Sequence, residues 1–140
     1  MTDTELAYAA GLFDGEGCVG IEEHHGFTVL AQIAMTTPKP LLWMQSKFGG
    51  QFRKHNAKHL AETNRKDQWY WRIVTKQARK FLADIRPWLQ VKDQQADLIL
   101  SLNFYERGNI YAVTSADRAA RDHAKKRLSE LNKRGRLGVV

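Results

Sequence analysis

Along the first hundred residues the spacing of apolar positions switches between helical and strand periods, and the switch points divide the chain. Thr2-x-x-Glu5 has the form of a capping box, and from Glu5 to Asp14 the residues Ala7, Ala10, Gly11 and Asp14 recur at i, i+3, i+4, i+7. That stripe has almost no side-chain bulk. Glycine inside a helix costs roughly 1 kcal/mol against alanine, so the compensation it predicts is close backbone contact with a second helix. The helix is expected to stop at Asp14 and turn through Gly15-Glu16-Gly17. Two strands follow, Cys18 to Glu23 and Phe27 to Met35, joined by His24-His25-Gly26 as a hairpin turn. Val19, Ile21, Val29, Ala31 and Ile33 fall on one face; Cys18, Gly20, Glu22, His24, Thr28, Leu30 and Gln32 fall on the other. One apolar and one mostly short or polar face describe a sheet with helices on one side and a ligand surface on the other.

Thr37-Pro38 has the form of an N-cap and first helical position, opening a helix with Leu41, Leu42, Met44 and Phe48 that ends at Gly49-Gly50. A third strand over Gln51 to His55 and a fourth over Trp69 to Thr75 flank Asn56 to Gln68, a loop of Lys, Arg, His and Asn suited to reaching along a phosphate backbone. In the fourth strand Trp69, Trp71 and Ile73 are assigned to the core and Arg72 to the open face. Thr75 is expected to cap a helix to Arg86, with Ala78, Phe81, Leu82 and Ile85 inward and Pro87 as its stop. Leu98, Ile99, Leu102 and Tyr105 form the stripe of the next helix, closed by Arg107-Gly108-Asn109. A last helix, about Ser115 to Lys133, turns Ala120, Ala124, Leu128 and Leu131 inward, with Arg121, Lys125, Lys126 and Arg127 nearby. Arg134 to Val140 is expected to fray. The order is αββαββα with further helices, an α+β fold in one domain over 1–140, its core at about 5–105 and a helical extension at about 110–134.

Charge narrows the class of partner. The chain of 140 residues carries a net charge of +7. Residues 1–38 hold six acids and no Lys or Arg, net −6, which leaves +13 on the remainder. A basic body around an acidic focus suits a protein that attracts a polyanion and places a divalent metal against it. A single cysteine and scattered histidines argue against a zinc site, and with no apolar run of membrane-spanning length they point to an intracellular, reducing compartment and no membrane partner.

The stretch Ala9-Ala-Gly-Leu-Phe-Asp-Gly-Glu-Gly17 resembles the motif of the LAGLIDADG homing endonucleases, with Ala9 in the place of the first Leu, Phe13 in the place of Ile, and Gly15-Glu16 in the place of Ala-Asp. Pro87-Trp-Leu-Gln-Val-Lys92-Asp-Gln-Gln-Ala resembles a second segment of that family, a proline-aromatic-Leu turn followed by a Lys and a Gln-Ala helix. The resemblance spans about residues 5–105. It implies an antiparallel sheet saddled on DNA with helices behind it. With one copy of the motif it implies a homodimer packed through Ala7, Ala10, Gly11 and Asp14, acting on a long, partly palindromic duplex and leaving short 3′ overhangs. It places the metal on Glu16, with Gly15 beside it, gives Asp14 a role in helix-end and interface structure, and sets Lys92 next to the active site. Glu16 departs from the commoner Asp by one methylene. Mg²⁺ is the implied cofactor, with Mn²⁺ substituting and Ca²⁺ binding without cleavage. Some relatives carry a Gln at the position of Met35, which cannot hold water in that way. Lys39 matches a basic residue at the edge of the family's site, and a surface role serves it equally.

Candidate base readers on the open face are Glu22, His24, Thr28, Gln32, Arg53, His55 and Arg72, residue types able to contact base edges in a major groove. Double-stranded DNA is the expected partner, in a bacterial cytoplasm or an organelle with the gene inside an intron, and intron RNA is a further one if the chain also assists splicing. A different class stays open: a non-cleaving nucleic-acid-binding protein of the same fold, an intron maturase or a DNA-binding regulator.

Overall fold

A computed structural model describes residues 1–23, 27–55, 67–103 and 114–136, with side chains in the last helix as far as residue 133. Helix α1 (Asp3–Glu16) leads without a loop into β1 (Gly17–Glu22), followed by β2 (Thr28–Met35), α2 (Lys39–Phe48), β3 (Gln51–His55) and β4 (Gln68–Val74). Helix α3 (Thr75–Ile85), a 3₁₀ turn (Arg86–Trp88), α4 (Asp93–Leu100) and α5 (Ser115–Arg136) come next. The four strands form one antiparallel sheet in the order β1-β2-β4-β3, so the expected α+β core of αββαββα order is present.

Apolar side chains sort to one face. Val19, Val29, Ala31, Ile33, Trp71 and Ile73 project from the sheet into a core completed by Phe13 of α1, Leu41 and Met44 of α2, Ala78, Phe81, Leu82 and Ile85 of α3, and Ile99 of α4. The alternation in β4 is as expected, with Trp71 buried between Phe48 and Phe81. Its indole N–H donates to the Gly49 carbonyl at 2.7 Å, which ties the end of α2 to the middle of the sheet. Gly49 and Gly50 adopt φ of 77° and 90°. A side chain on Gly50 would also press its Cβ to 2.7 Å from the Arg72 carbonyl oxygen. Only glycine meets both demands.

Helix ends depart from the sequence expectation in five places, the first being α4, which ends at Leu100 so that Leu102 of its expected stripe is buried beyond the helix. Thr2 caps α1 as expected, accepting from the Glu5 N–H at 3.1 Å, but α1 runs two residues beyond Asp14 because the Gly17 N–H still finds the Phe13 carbonyl. Pro38, not Thr37, stands at the N-cap of α2 and no side chain caps it. Thr75 lies inside α3 at φ 52° and does not cap it. Ala120 is exposed, so α5 seats only Ala124, Leu128 and Leu131, and it continues to Arg136 through part of the expected frayed tail. Leu42 too is half-exposed.

Helix α5 covers the free edge of β1: Asn132 Nδ2 donates to the Val19 carbonyl at 3.3 Å, Lys125 pairs with Glu23 at 2.9 Å, and the Arg121 guanidinium lies 4.6 Å from the Phe27 ring centroid. An exposed edge strand invites pairing with another chain, and this helix occupies the place. The Arg86 guanidinium grips Asp97 through two nitrogens, joining the 3₁₀ turn to α4 and holding the Asp97 carboxyl below the usual carboxylate range. The turn His24-His25-Gly26, residues 56–66 of the basic loop, Tyr105, Arg107-Gly108-Asn109 and residues 137–140 lie outside the described residues.

Candidate nucleic-acid interface and metal site

The acidic focus forms where α1 ends. Leu89 to Lys92 wrap that end, and the Asp14 carboxylate takes three of their backbone N–H groups: Gln90 on Oδ2 at 2.8 Å, Val91 and Lys92 on Oδ1 at 3.0 and 2.9 Å. In return the Lys92 ammonium donates to the Asp14 carbonyl at 2.7 Å. A cation at the start of α4 opposes that helix's own dipole, but this one sits on the negative C-terminal pole of α1, whose last turn has no basic residue of its own. The Lys is thus explained by the neighbouring helix. Sequence spacing alone could not reveal this reciprocal clamp between residues 76 to 78 positions apart. Asp14→Ala strands three N–H groups and is expected to destabilise the chain by about 1.5–3 kcal/mol, read by urea unfolding. Hydrogen exchange should place the lost protection at amides 90–92; equal exchange in the two proteins would refute the clamp.

Glu16 is the last residue of α1 and is exposed, as is Gly15, where a side-chain Cβ would meet no atom within 4 Å. A carboxylate on the negative pole of a helix is doubly unfavourable without a cation. Among the described residues no three His, Cys, Asp or Glu side chains gather as a metal cage. The donors on offer are the Glu16 carboxylate and the adjoining Gly15 backbone, an all-oxygen set open to solvent. Mg²⁺ and Ca²⁺ fit such a set, with water and phosphate oxygens filling the remaining positions.

Strand register places the candidate base readers on one open face. Cys18, Gln32, Arg72 and Gln51 stand in one row across the four strands; Gly20, Leu30 and Val74 form the next, and Glu22 with Thr28 the one beyond. On the other side of the first row stand Ala34, Tyr70 and Arg53, and then Gln68 with His55. Glu22, Thr28, Gln32, Arg53, His55 and Arg72 therefore share a face. Gln51 and Tyr70 join it, and the alternation Gln51-x-Arg53-x-His55 was the signal for the first of these. Arg72 Nη2 donates to Glu22 Oε2 at 2.6 Å. Lys39 is exposed at the first position of α2, off the sheet. His24 lies outside the described residues. Met35 pairs with Trp69 and packs against the core, where it offers water no partner.

The small-residue stripe is differently disposed from the expectation. Ala9 and Ala10 are both sealed in the chain's own core, so Ala10 is not available to a second helix. Ala7 and Asp14 are half-buried, and Asp14 is committed to the clamp. The outward side of α1 carries half-exposed Tyr8, stacked edge-on against Trp43 at 5.0 Å, together with Gly11 and Gly15.

No family model matches this sequence, and no curated protein matches it significantly. Solved structures do. The chain is similar to the homing endonuclease I-CvuI in complex with its target in 2 mM Ca, with 20% identity, 91% of this chain and 82% of that one covered, and a TM-score of 0.67. It is similar to I-CvuI in complex with the I-CreI target in 2 mM Mg, where the DNA is not cleaved, at 21% identity over 91% and 82% of the two chains, TM-score 0.65. An archaeal intron-encoded homing endonuclease, I-Vdi141I, complexed with DNA, matches at 13% identity over 92% and 84%, TM-score 0.63. With an antiparallel four-stranded sheet, helices on one face and coverage of about nine-tenths of its length, this chain has the LAGLIDADG homing-endonuclease fold.

Proposed function

We propose that the chain is a homing endonuclease of the LAGLIDADG family that hydrolyses both strands of a long, partly palindromic DNA duplex as a homodimer, leaving short 3′ overhangs. The observation that carries this reading is the exposed Glu16 carboxylate at the negative pole of α1, the helix end where Lys92 bonds the Asp14 carbonyl, in a chain whose sheet presents a face of Gln, Arg, Tyr and His side chains with no helix over it among the described residues. A protein that only binds DNA gains nothing from a carboxylate facing phosphates. Structural neighbours crystallised with DNA in Ca or Mg support the choice of ligand class.

Glu16 and the Gly15 backbone would hold Mg²⁺, which when bound relieves phosphoryl charge and lowers the pKa of water. Lys92 lends a second positive charge at the same end, where it orients water or steadies charge developing on phosphate. The sheet face holds the duplex and sets register. A Cβ added at Gly11 or Gly15, on the outward side of α1, would meet no atom of the described residues within 4 Å, and the cost of these glycines in helix stability makes sense where a second copy approaches closely. Such a dimer sets two Glu16 carboxylates near one twofold axis, one for each strand. The gene would lie in an intron of a bacterial or organellar genome.

The test is cleavage of a randomised duplex library by the purified protein in Mg²⁺, with Ca²⁺ and chelator as controls, and sedimentation of the selected complex. Cuts at one near-palindromic site with two chains per duplex, silent in Ca²⁺ and in chelator, are expected. Tight binding to a selected site with no cutting in Mg²⁺ or Mn²⁺ would overturn the endonuclease in favour of a binding protein.

A further inference from the structure

Arg72 and Glu22 stand on different strands and in different rows. Arg72 pairs with Gln32 and Glu22 with Thr28, so their 2.6 Å contact runs diagonally across β2, over the row Gly20, Leu30 and Val74. That row has no hydrogen-bonding side chain. Leu30 is only 5% exposed although it lies on the face over which no described helix packs, and the stem of Arg72 must pass above it to reach Glu22. Gly20 keeps the path low: a Cβ there would already touch Leu30 at 3.2 Å. Both side chains of the ion pair keep about a third of their surface, 30% for Arg72 and 38% for Glu22, so the pair is still open to solvent.

An ion pair at that exposure adds little to folding, and the sheet does not need it. Its consequence is geometric and electrostatic. One nitrogen of the guanidinium is spoken for, which leaves a fork of N–H groups aimed away from the carboxylate, the arrangement that pairs with O6 and N7 of guanine. An arginine already held loses less freedom on binding than a free one. Its charge, balanced by Glu22, is also withheld from non-specific attraction to phosphates.

We infer that Glu22 and Arg72 act as one reading unit, in which Glu22 holds the Arg72 guanidinium over Leu30 so that it contacts a guanine in the major groove facing the Gly20, Leu30 and Val74 row, and suppresses its binding to unrelated DNA. Glu22 is thus a positioning residue for Arg72. This rests on the proposal that the open sheet face meets duplex DNA.

The experiment is selection of bound duplexes from a randomised library by the full chain and by Glu22→Gln, Arg72→Gln and the double variant, in Ca²⁺, with thermal melts to confirm that each folds. The unmodified chain should require guanine at one position of each half-site, by about 5- to 150-fold over other bases. Arg72→Gln should erase that preference, and Glu22→Gln should cut it to less than about a third at the same position. The double variant should be no worse than Arg72→Gln alone. Glu22→Gln should also bind unrelated duplex more tightly, with a log–log salt dependence steeper by about 0.9; the loss of preference at the same guanine position is the readout that a purely structural ion pair would not move. An unchanged profile in Glu22→Gln, or effects of the two substitutions at different positions that add, would overturn the coupling while leaving the sheet on DNA. If the unmodified chain selects no duplex, the sheet-face proposal itself fails and takes this inference with it.

Discussion

Glu16→Gln should lower the rate of strand cleavage by roughly 10³-fold or more while leaving affinity for the selected duplex within a few-fold of the original. A carboxylate that anchors a divalent ion contributes several kcal/mol to the transition state, and each 1.36 kcal/mol is about tenfold in rate. The amide has the same shape and keeps an oxygen, but it carries no charge to offset the metal. Binding should hold, because the proposed contacts to the duplex come from the sheet face, which the substitution leaves unchanged. Folding should hold as well: Glu16 is exposed at the negative end of α1, where loss of an anion is worth about 0.3–1 kcal/mol in the stabilising direction. Single-turnover cleavage of the selected duplex in Mg²⁺, beside a binding titration in Ca²⁺, separates the two effects. Cleavage within tenfold of the unmodified protein would refute the proposed role of Glu16 as a metal ligand.

The largest expected effect on stability belongs to Trp71→Ala. This side chain is fully buried in β4, with the Phe81 ring 5.1 Å and the Phe48 ring 6.3 Å from its own, and its N–H is the partner of the Gly49 carbonyl. Truncating a buried aromatic costs about 3–5 kcal/mol through lost burial and the cavity left behind. Stranding the Gly49 carbonyl adds about 1–3 kcal/mol. Against a domain stability of roughly 5–15 kcal/mol, the variant is expected to melt cooperatively at a much lower temperature or to fail to fold. Trp71→Phe supplies the control, since it keeps a ring among the aromatic contacts and loses the hydrogen bond, at about 1–3 kcal/mol. Urea unfolding of both measures the difference, and a loss below about 1.5 kcal/mol in Trp71→Ala would show that the ring is not the centre of this core.

Much of this architecture is legible in the residues. Period-two alternation over Cys18 to Glu22, Thr28 to Met35 and Trp69 to Val74 predicts the parity of these three strands, so that Gln32 and Arg72 face out and Ile33 and Trp71 face in. The Thr2 cap, the Gly49-Gly50 stop and the strand Gln51–His55 are local chemistry, and they stand where local chemistry put them. Helix starts at Lys39 and Thr75 were less legible, because backbone direction there is set by the packing of the following helix rather than by a side-chain cap. The stripe of small residues in α1 gave the right helix and an incomplete account of its faces. Ala9 and Ala10 are sealed in the chain's own core, and sequence spacing does not distinguish a close approach within the chain from one between chains.

What the sequence by itself determined is the set of elements, their order and the face each strand turns outward, because these follow from side-chain period, turn residues and caps acting over a few positions. What only the tertiary structure decided is which distant groups meet: Asp14 with the amides of 90–92, Lys92 with the end of α1, Asn132 with the edge of β1, and Arg72 with Glu22. Each of these joins groups 50 or more positions apart. The physical reason is that hydrophobic burial chooses faces without choosing partners, whereas a hydrogen bond or ion pair depends on ångström-scale placement that exists only once the sheet has its register and the helices have closed over it.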